Sequence, residues 1–384
     1  MKLRRCLAAL LLLTLFTIPA QAEDTAPALT KSATFTYGPR TKGHGTLTDG
    51  SYLTYFTGGH LEIVSDTPCH HLYFSYALDE VDIAIQVQDE SGVWADILTD
   101  SRRYTNLYLP LPGLTRFRIV PLSSDTLGIS ELHLFGEGQL PAWVQTWQPF
   151  EGKADLLVLS AHCDDELLFF GGVIPYYTAE RQMNVIVCYL THQTHTRRSA
   201  ALDGLWTCGV RSYPEMGVFT DVKVKHAEDC YPYWGGEENV RSHVSGLINR
   251  YQPEVMVTHD TRGEYGHGAH RACVDGCKQA ILDAADATKY RDSAKEYGVW
   301  QAKKLYLHLY KENPIVMDWR QLLAAFDGKT AFDIAEAAFV CHDSQKSNGL
   351  IVQDWGDWAN NRFGLYHTSV GEDSGAGDMF ENIQ

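Results

Sequence analysis

The spacing of apolar residues changes character once along the chain, near residue 150. Between about Ser32 and Gly138 they come in short alternating runs, such as His60-Leu61-Glu62-Ile63-Val64, Val81-Asp82-Ile83-Ala84-Ile85-Gln86-Val87 and Thr115-Arg116-Phe117-Arg118-Ile119-Val120. A period of two sends alternate side chains to opposite faces, and Gly, Asp, Ser and Pro punctuate the runs. This region therefore predicts an all-β sandwich without long helices. Pro141–Pro149 reads as a linker whose Trp143 and Trp147 pack between domains. Beyond it the runs become apolar throughout, at Leu156–Ser160, Val185–Leu190, Val255–Thr258 and Leu305–Leu309. Helical patterns alternate with them over Glu166–Arg181, Ser199–Cys208, Asn239–Tyr251 and Gly268–Ala284. Strands without polar alternation are buried on both faces, so the prediction is an α/β fold, a mostly parallel sheet with helices on both faces, preceded by the all-β domain. Ligands of such sheets bind beyond the carboxyl ends of the strands.

The start of the chain carries another pattern. Basic Met1-Lys2-Leu3-Arg4-Arg5 precedes an apolar run from Leu7 to Ile18, and Ala20-Gln21-Ala22 has the small-x-small form of a signal peptidase site. The run is too short to cross a bilayer core. The expectation is a signal peptide over residues 1–22, a secreted or periplasmic protein with no membrane anchor, a β-domain over 23–145 and an α/β domain over 150–384. Losing Lys2, Arg4 and Arg5 takes the net charge from −16 to −19. Such acidity argues against nucleic acid as a partner, because binding there needs clustered cations. Of nine cysteines, eight follow the signal; export permits disulfides, no pairing is singled out, and Cys188 reads as a core residue. Nothing in the sequence sets the oligomeric state.

Candidate chemistry gathers at two strand ends. Asp155-Leu156-Leu157-Val158-Leu159-Ser160 runs into Ala161-His162-Cys163-Asp164-Asp165-Glu166, which places one imidazole and three carboxylates at a strand-to-helix turn. A divalent cation would neutralise that charge, and an acidic helix cap is the competing reading. After the third strand, Thr258-His259-Asp260 leads to Gly263-Glu264-Tyr265-Gly266-His267-Gly268-Ala269-His270-Arg271, with two histidines three apart at a helix start. His270 would complete a three-ligand set with His162 and one aspartate; a capped helix with surface histidines is the alternative. His270-x-x-Cys273-x-x-x-Cys277 offers a rival cluster but lacks a fourth ligand.

Ser160–Glu166 with Phe170-Gly171-Gly172 resembles the AHPDDE signature of the PIG-L/LmbE-like de-N-acetylases, and Thr258–Arg271 resembles that family's second motif. Tyr189-Leu190-Thr191-His192, Glu215–Asp221, His342-Asp343-Ser344-Gln345 and Phe363–Tyr366 extend the likeness over roughly residues 153–384. The resemblance implies a Rossmann-like fold, one zinc per chain, and hydrolysis of the acetamide of an N-acetylated amino sugar of the GlcNAc or GalNAc type. Residue by residue it implies His162, Asp165 and His270 as zinc ligands and Asp164 as general base. His267, if protonated, is expected to supply positive charge at the oxyanion or to act as acid, Tyr265 to donate to the same oxygen, and Glu166 to support the ligands or cap the helix rather than bind the metal. Arg197, or Arg198, and Asp221 are expected on the sugar. Cys163 stands where the family has proline, Gly268-Ala269 where it has Pro-Asp, and Ala200 where a glutamate often follows the arginine. The second departure removes a carboxylate that would orient His267 and raise its pKa. Arg116–Val120 followed by Ile129–Gly136 resembles the last strands of discoidin-like or galactose-binding-like jelly rolls, which often bind carbohydrate. Two other functions stay open: a zinc amidase for a non-sugar N-acyl compound, and a glycan-binding protein with weakened catalysis.

Overall fold

The computed structural model describes residues 25–43, 47–123, 125–346, 348–375 and 377–383; the expected export signal lies outside the described residues. Strands β1 (Thr34–Tyr37), β2 (Phe56–Gly58), β3 (Leu61–Tyr76), β4 (Ile83–Gln88), β5 (Trp94–Asp100), β6 (Asn106–Pro121) and β7 (Leu127–Phe135) form one antiparallel sheet. Its order is β2-β7-β3-β6-β4-β5, with β1 also on β3. The two 16-residue strands β3 and β6 pair with each other, and their register slips around Cys69. Such irregularities bend and twist a strand. The first half of β3 carries β1 and the second half β7. Leu61, Ile63, Leu72, Phe74, Phe117 and Ile119 from both halves meet in one core. The all-β character expected here is present, carried by a single hydrogen-bonded sheet whose two longest strands run through both halves.

The second sheet has the order β14-β15-β13-β12-β8-β9. β8 (Leu156–Ser160), β9 (Val185–Tyr189), β12 (Val255–Thr258) and β13 (Lys304–His308) are parallel; β14 (Pro314–Val316) and β15 (Arg362–Thr368) close one edge in antiparallel pairing. β10 (Thr191–His192) and β11 (Phe219–Thr220) make a small parallel pair beside it. The helices are α1 (Asp165–Leu168), α2 (Val173–Pro175), α3 (His195–Thr207), α4 (Glu237–Tyr251), α5 (Gly268–Asp283), α6 (Arg291–Tyr297), α7 (Ala331–Phe339) and α8 (Asp343–Lys346). Alternate strand residues serve opposite faces. Leu157, Leu159, Ile186 and Met256 pack with α4 and α5, whereas Leu156, Val158, Val187 and Val257 pack with the side bearing α1, α3 and α7.

Three expectations need correction. The helix expected over Glu166–Arg181 is broken: α1 stops at Leu168, and a single π turn at Tyr176–Glu180 follows α2. Gly171 has φ +51°, and a Cβ there would meet Asn360 at 2.5 Å, so the chain turns where only glycine fits. α3 starts four residues earlier than expected, at His195. The fourth parallel strand ends at His308, because Leu309 takes φ 56°. Cys69, Cys163, Cys188, Cys208, Cys230, Cys273 and Cys277 are buried free thiols. Trp147 packs edge-on against Trp206 at 5.2 Å, whereas Trp143 stays 49% exposed.

Candidate metal centre

Where β8 ends, the chain makes the sharp turn that presents the acidic run. Asp164 takes φ 133°, a left-handed conformation that costs free energy outside glycine. Several contacts hold it there. Its N–H donates to Glu166 Oε2 (2.8 Å), and Arg197 Nη2 donates to its Oδ1 (2.7 Å) and to the Cys163 carbonyl (2.8 Å). Asp164 makes no side-chain cap to α1, and Asp165 Oδ2 accepts the His162 N–H (2.9 Å), so the helix-cap reading does not account for these carboxylates.

Three potential ligand atoms converge beneath this turn. His162 Nδ1 lies 2.8 Å from Asp165 Oδ2, and His270 Nε2 lies 3.2 Å from each. Atoms bound to one tetrahedral zinc at about 2.0–2.1 Å would stand about 3.3 Å apart. The other nitrogens fix the tautomers. His162 Nε2 faces Asp221 Oδ1 (3.4 Å) and His270 Nδ1 faces Glu264 Oε2 (2.7 Å), which turns both remaining lone pairs toward Asp165. One positive charge is required between them, a proton or a cation, and the donor set suits a divalent ion. His259 and His267 lie within 4.8 Å of parts of the same cluster. His259 is already committed: Nε2 accepts the Ala161 N–H (2.9 Å) and Nδ1 bonds Glu264 Oε2 (2.8 Å).

Glu264 is the residue that sequence reasoning missed. Wholly buried, it binds His259, His270 and, through Oε1, His308 Nδ1 (2.7 Å) and the Asp260 N–H (3.0 Å). Its place in the second motif was visible, but His308 joins it only through the pairing of β12 with β13.

The charges set one another. Burial works against ionised Asp165 and Glu264, yet the histidines hold both well below the usual carboxylate range. Burial likewise pushes His270 down, but Asp165 and Glu264 raise it to about 10, so a metal ion must displace a tightly held proton. Asp164 is shifted up, by burial and by Asp165, against Arg197. Burial raises Glu166 to about 8, and it accepts a hydrogen bond from Tyr189 (2.9 Å). Burial opposes the charge of Asp221 too, but His162, Gln193 and Arg197 bring it to about 2.

Above the trio opens a cleft of about 820 Å³ lined by His162, Asp164, Arg197, Asp221, Tyr265 and His267. The expected residues thus meet at one cleft. Arg197 grips Asp164 as well as lining the cleft, while its buried Nε has no partner. Burial and the neighbouring histidines work against a positive charge on His267 and lower it to about 3. The Ala269 N–H donates to His267 Nδ1 (3.2 Å). With Nδ1 accepting, a neutral ring carries its proton on Nε2. Arg198 is not a cleft residue; it is 3% exposed and donates to Glu80 (3.0 Å) and Thr105 (3.2 Å) of the β-region. Cys163 is buried, and burial keeps its thiol protonated.

Residues 157–281 match the model of the PIG-L family, described as GlcNAc-PI de-N-acetylase. All the cleft residues just named fall inside that match. A probable N-acetylglucosaminyl-phosphatidylinositol de-N-acetylase of Schizosaccharomyces pombe is 25% identical over 130 residues, 33% of this chain and 51% of that protein. The 1D-myo-inositol 2-acetamido-2-deoxy-alpha-D-glucopyranoside deacetylase 1 of Frankia alni is 26% identical over 180 residues, 38% of this chain and 60% of the relative. The chain thus spans between 51% and 60% of the length of these curated relatives. Among solved structures, N,N'-diacetylchitobiose deacetylase from Pyrococcus horikoshii is similar with TM-score 0.39 and 17% identity, covering 51% of this chain and 72% of that one.

Proposed function

We propose that this chain, with a PIG-L domain over residues 157–281, is a zinc-dependent hydrolase that removes the N-acetyl group from an N-acetylated amino sugar. The observation that carries the reading is the convergence of His162 Nδ1, Asp165 Oδ2 and His270 Nε2 within 3.2 Å of one another beneath a cleft that also holds Asp164. The named activities of the relatives support the acetamide as the scissile group. The apolar run and Ala20-Gln21-Ala22 support export, and the β-region is read as a discoidin-like jelly-roll module.

Bound at the trio, zinc would acidify a water and polarise the acetamide carbonyl. The chain's own residues supply the rest. Asp164, shifted toward neutrality, accepts the proton of the attacking water and delivers it to the departing amine. Arg197 and Glu166 keep that carboxylate in its left-handed backbone pose. The His267 Nε2–H and the half-exposed Tyr265 hydroxyl offer hydrogen bonds to the tetrahedral oxyanion. Asp221 accepts from sugar hydroxyls while orienting His162.

The test is acetate release from N-acetylhexosamines, their oligosaccharides and simple N-acyl amides, before and after chelation and zinc addition. Zinc-restored release from sugars upholds the proposal; release only from non-sugar amides replaces it with the amidase reading. The bond from Ala269 to His267 favours a second reading, a glycan-binding protein with weakened catalysis, which saturable sugar binding without turnover in the zinc-loaded chain would establish.

A further inference from the structure

Trp143 is a large aromatic side chain that the fold packs on one side yet leaves in water on the other. His133 and Tyr73 meet its ring edge-on at 4.8 Å and 5.9 Å and Phe135 lies tilted at 6.0 Å, while 49% of its surface stays exposed. It faces a cleft of about 930 Å³ between the β-region and the α/β region. Trp206 of α3 lines the same cleft, but Arg211 covers its ring at 3.9 Å, which leaves Trp143 as the open platform. Glu131, Asp203 and Ser344 supply polar groups along the walls. Ser344, on α8, also lines the cleft above the metal-ligand trio, so the two cavities adjoin there.

The walls are tied together. Tyr52 donates to Asp203 Oδ2 (3.0 Å), Gln145 Nε2 to Asp203 Oδ1 (2.6 Å), and Ser199 to Asn106 (3.1 Å), so the inter-domain cleft is preformed. A sugar ring offers an apolar C–H face edged by hydroxyls. A fixed aromatic face covers the first, and carboxylates and a serine hydroxyl bind the second.

We propose that the inter-domain cleft is a saccharide subsite in which a sugar further along the same glycan as the acetamido residue stacks on Trp143, so that the substrate is an oligosaccharide or longer glycan rather than a free N-acetylhexosamine. The β-region is then one wall of the substrate site. The inference rests on the proposed function for what occupies the adjoining cleft.

The experiment compares acetate release from N-acetylglucosamine and N-acetylgalactosamine with that from their two- to five-sugar oligosaccharides in several linkages. The wild-type chain is expected to favour at least one oligosaccharide over its monosaccharide by tenfold or more in kcat/KM. Trp143→Ala is expected to raise KM for that oligosaccharide about tenfold with kcat unchanged and to leave the monosaccharide unaffected. Trp143→Phe, which keeps an aromatic face, should retain most of the preference, with thermal melts confirming that both variants fold. Equal use of monosaccharides and oligosaccharides, or an equal loss on both in Trp143→Ala, overturns the subsite and leaves the deacetylase reading standing. If no sugar releases acetate, the proposed function falls, and calorimetric titration with the same oligosaccharides decides the subsite alone. Binding lost in Trp143→Ala upholds it; no binding to the wild-type chain overturns it.

Discussion

His162, Asp165, His259, Glu264, His270 and His308 are each 5% exposed or less and bonded among themselves, whereas Trp143 keeps half its surface in water. The first group is the floor of one cleft, the second the wall of the next. Burying a charge costs several kcal/mol unless a partner offsets it, so every member of the floor depends on the others. The wall depends on shape and aromatic contact, and tolerates a single loss. On the proposed function, one region sets whether chemistry can occur and the other what is presented to it.

The contrast breaks most severely at Asp165. Asp165→Asn removes the anion on which both histidine nitrogens converge, and both bound zinc and acetate release are expected to fall to background; metal analysis showing one zinc per chain in the variant would contradict this. Asp164→Asn should keep zinc and lose about 10²–10⁴-fold in kcat, the range of a positioned base. Near-normal turnover in that variant would remove Asp164 from the mechanism. Glu264→Gln touches no proposed ligand atom, yet His270 loses the anion that orients it. Zinc affinity is expected to fall about 10–100-fold, read by competition with a chelating dye.

The smallest effect belongs to the contact between the β-region and the α/β region. Burial raises the Asp203 carboxyl to about 6, against the hydrogen bonds from Tyr52 and Gln145. A raised acid pKa means that the folded chain holds the proton more tightly than the unfolded chain. The contribution is therefore full below about pH 4 and lost as pH rises through about 6. Asp203→Asn should flatten that part of the stability curve between pH 4 and 6, measured by urea unfolding at each pH. An unchanged slope would show that Asp203 does not titrate in this window.

These regions were unequally legible in the sequence. The four parallel strands lie within a residue of the apolar runs, because burial on both faces leaves a local signature. The ligand candidates were legible for a similar reason, since His162 and Asp165 share one turn and His267 and His270 another. Glu264 stood in plain view without a role, because His308 lies 44 residues away and reaches it only across paired strands. The break after α1 escaped notice because Gly171 is constrained by Asn360, far along the chain. The early start of α3 was hidden by the polar residues His195-Thr196-Arg197-Arg198, three of which are spoken for by tertiary contacts, His195 with the Tyr52 carbonyl, Arg197 with Asp164 and Arg198 with Glu80. Whether Trp143 or Trp147 would be buried could not be read from a segment in which both look alike.

The central claim is that His162, Asp165 and His270 hold the catalytic zinc. Anomalous X-ray scattering on either side of the zinc absorption edge, from crystals of the zinc-reconstituted chain, tests it directly. The account predicts one strong peak bounded by His162 Nδ1, Asp165 Oδ2 and His270 Nε2. A peak elsewhere, or none at full zinc loading, would contradict it.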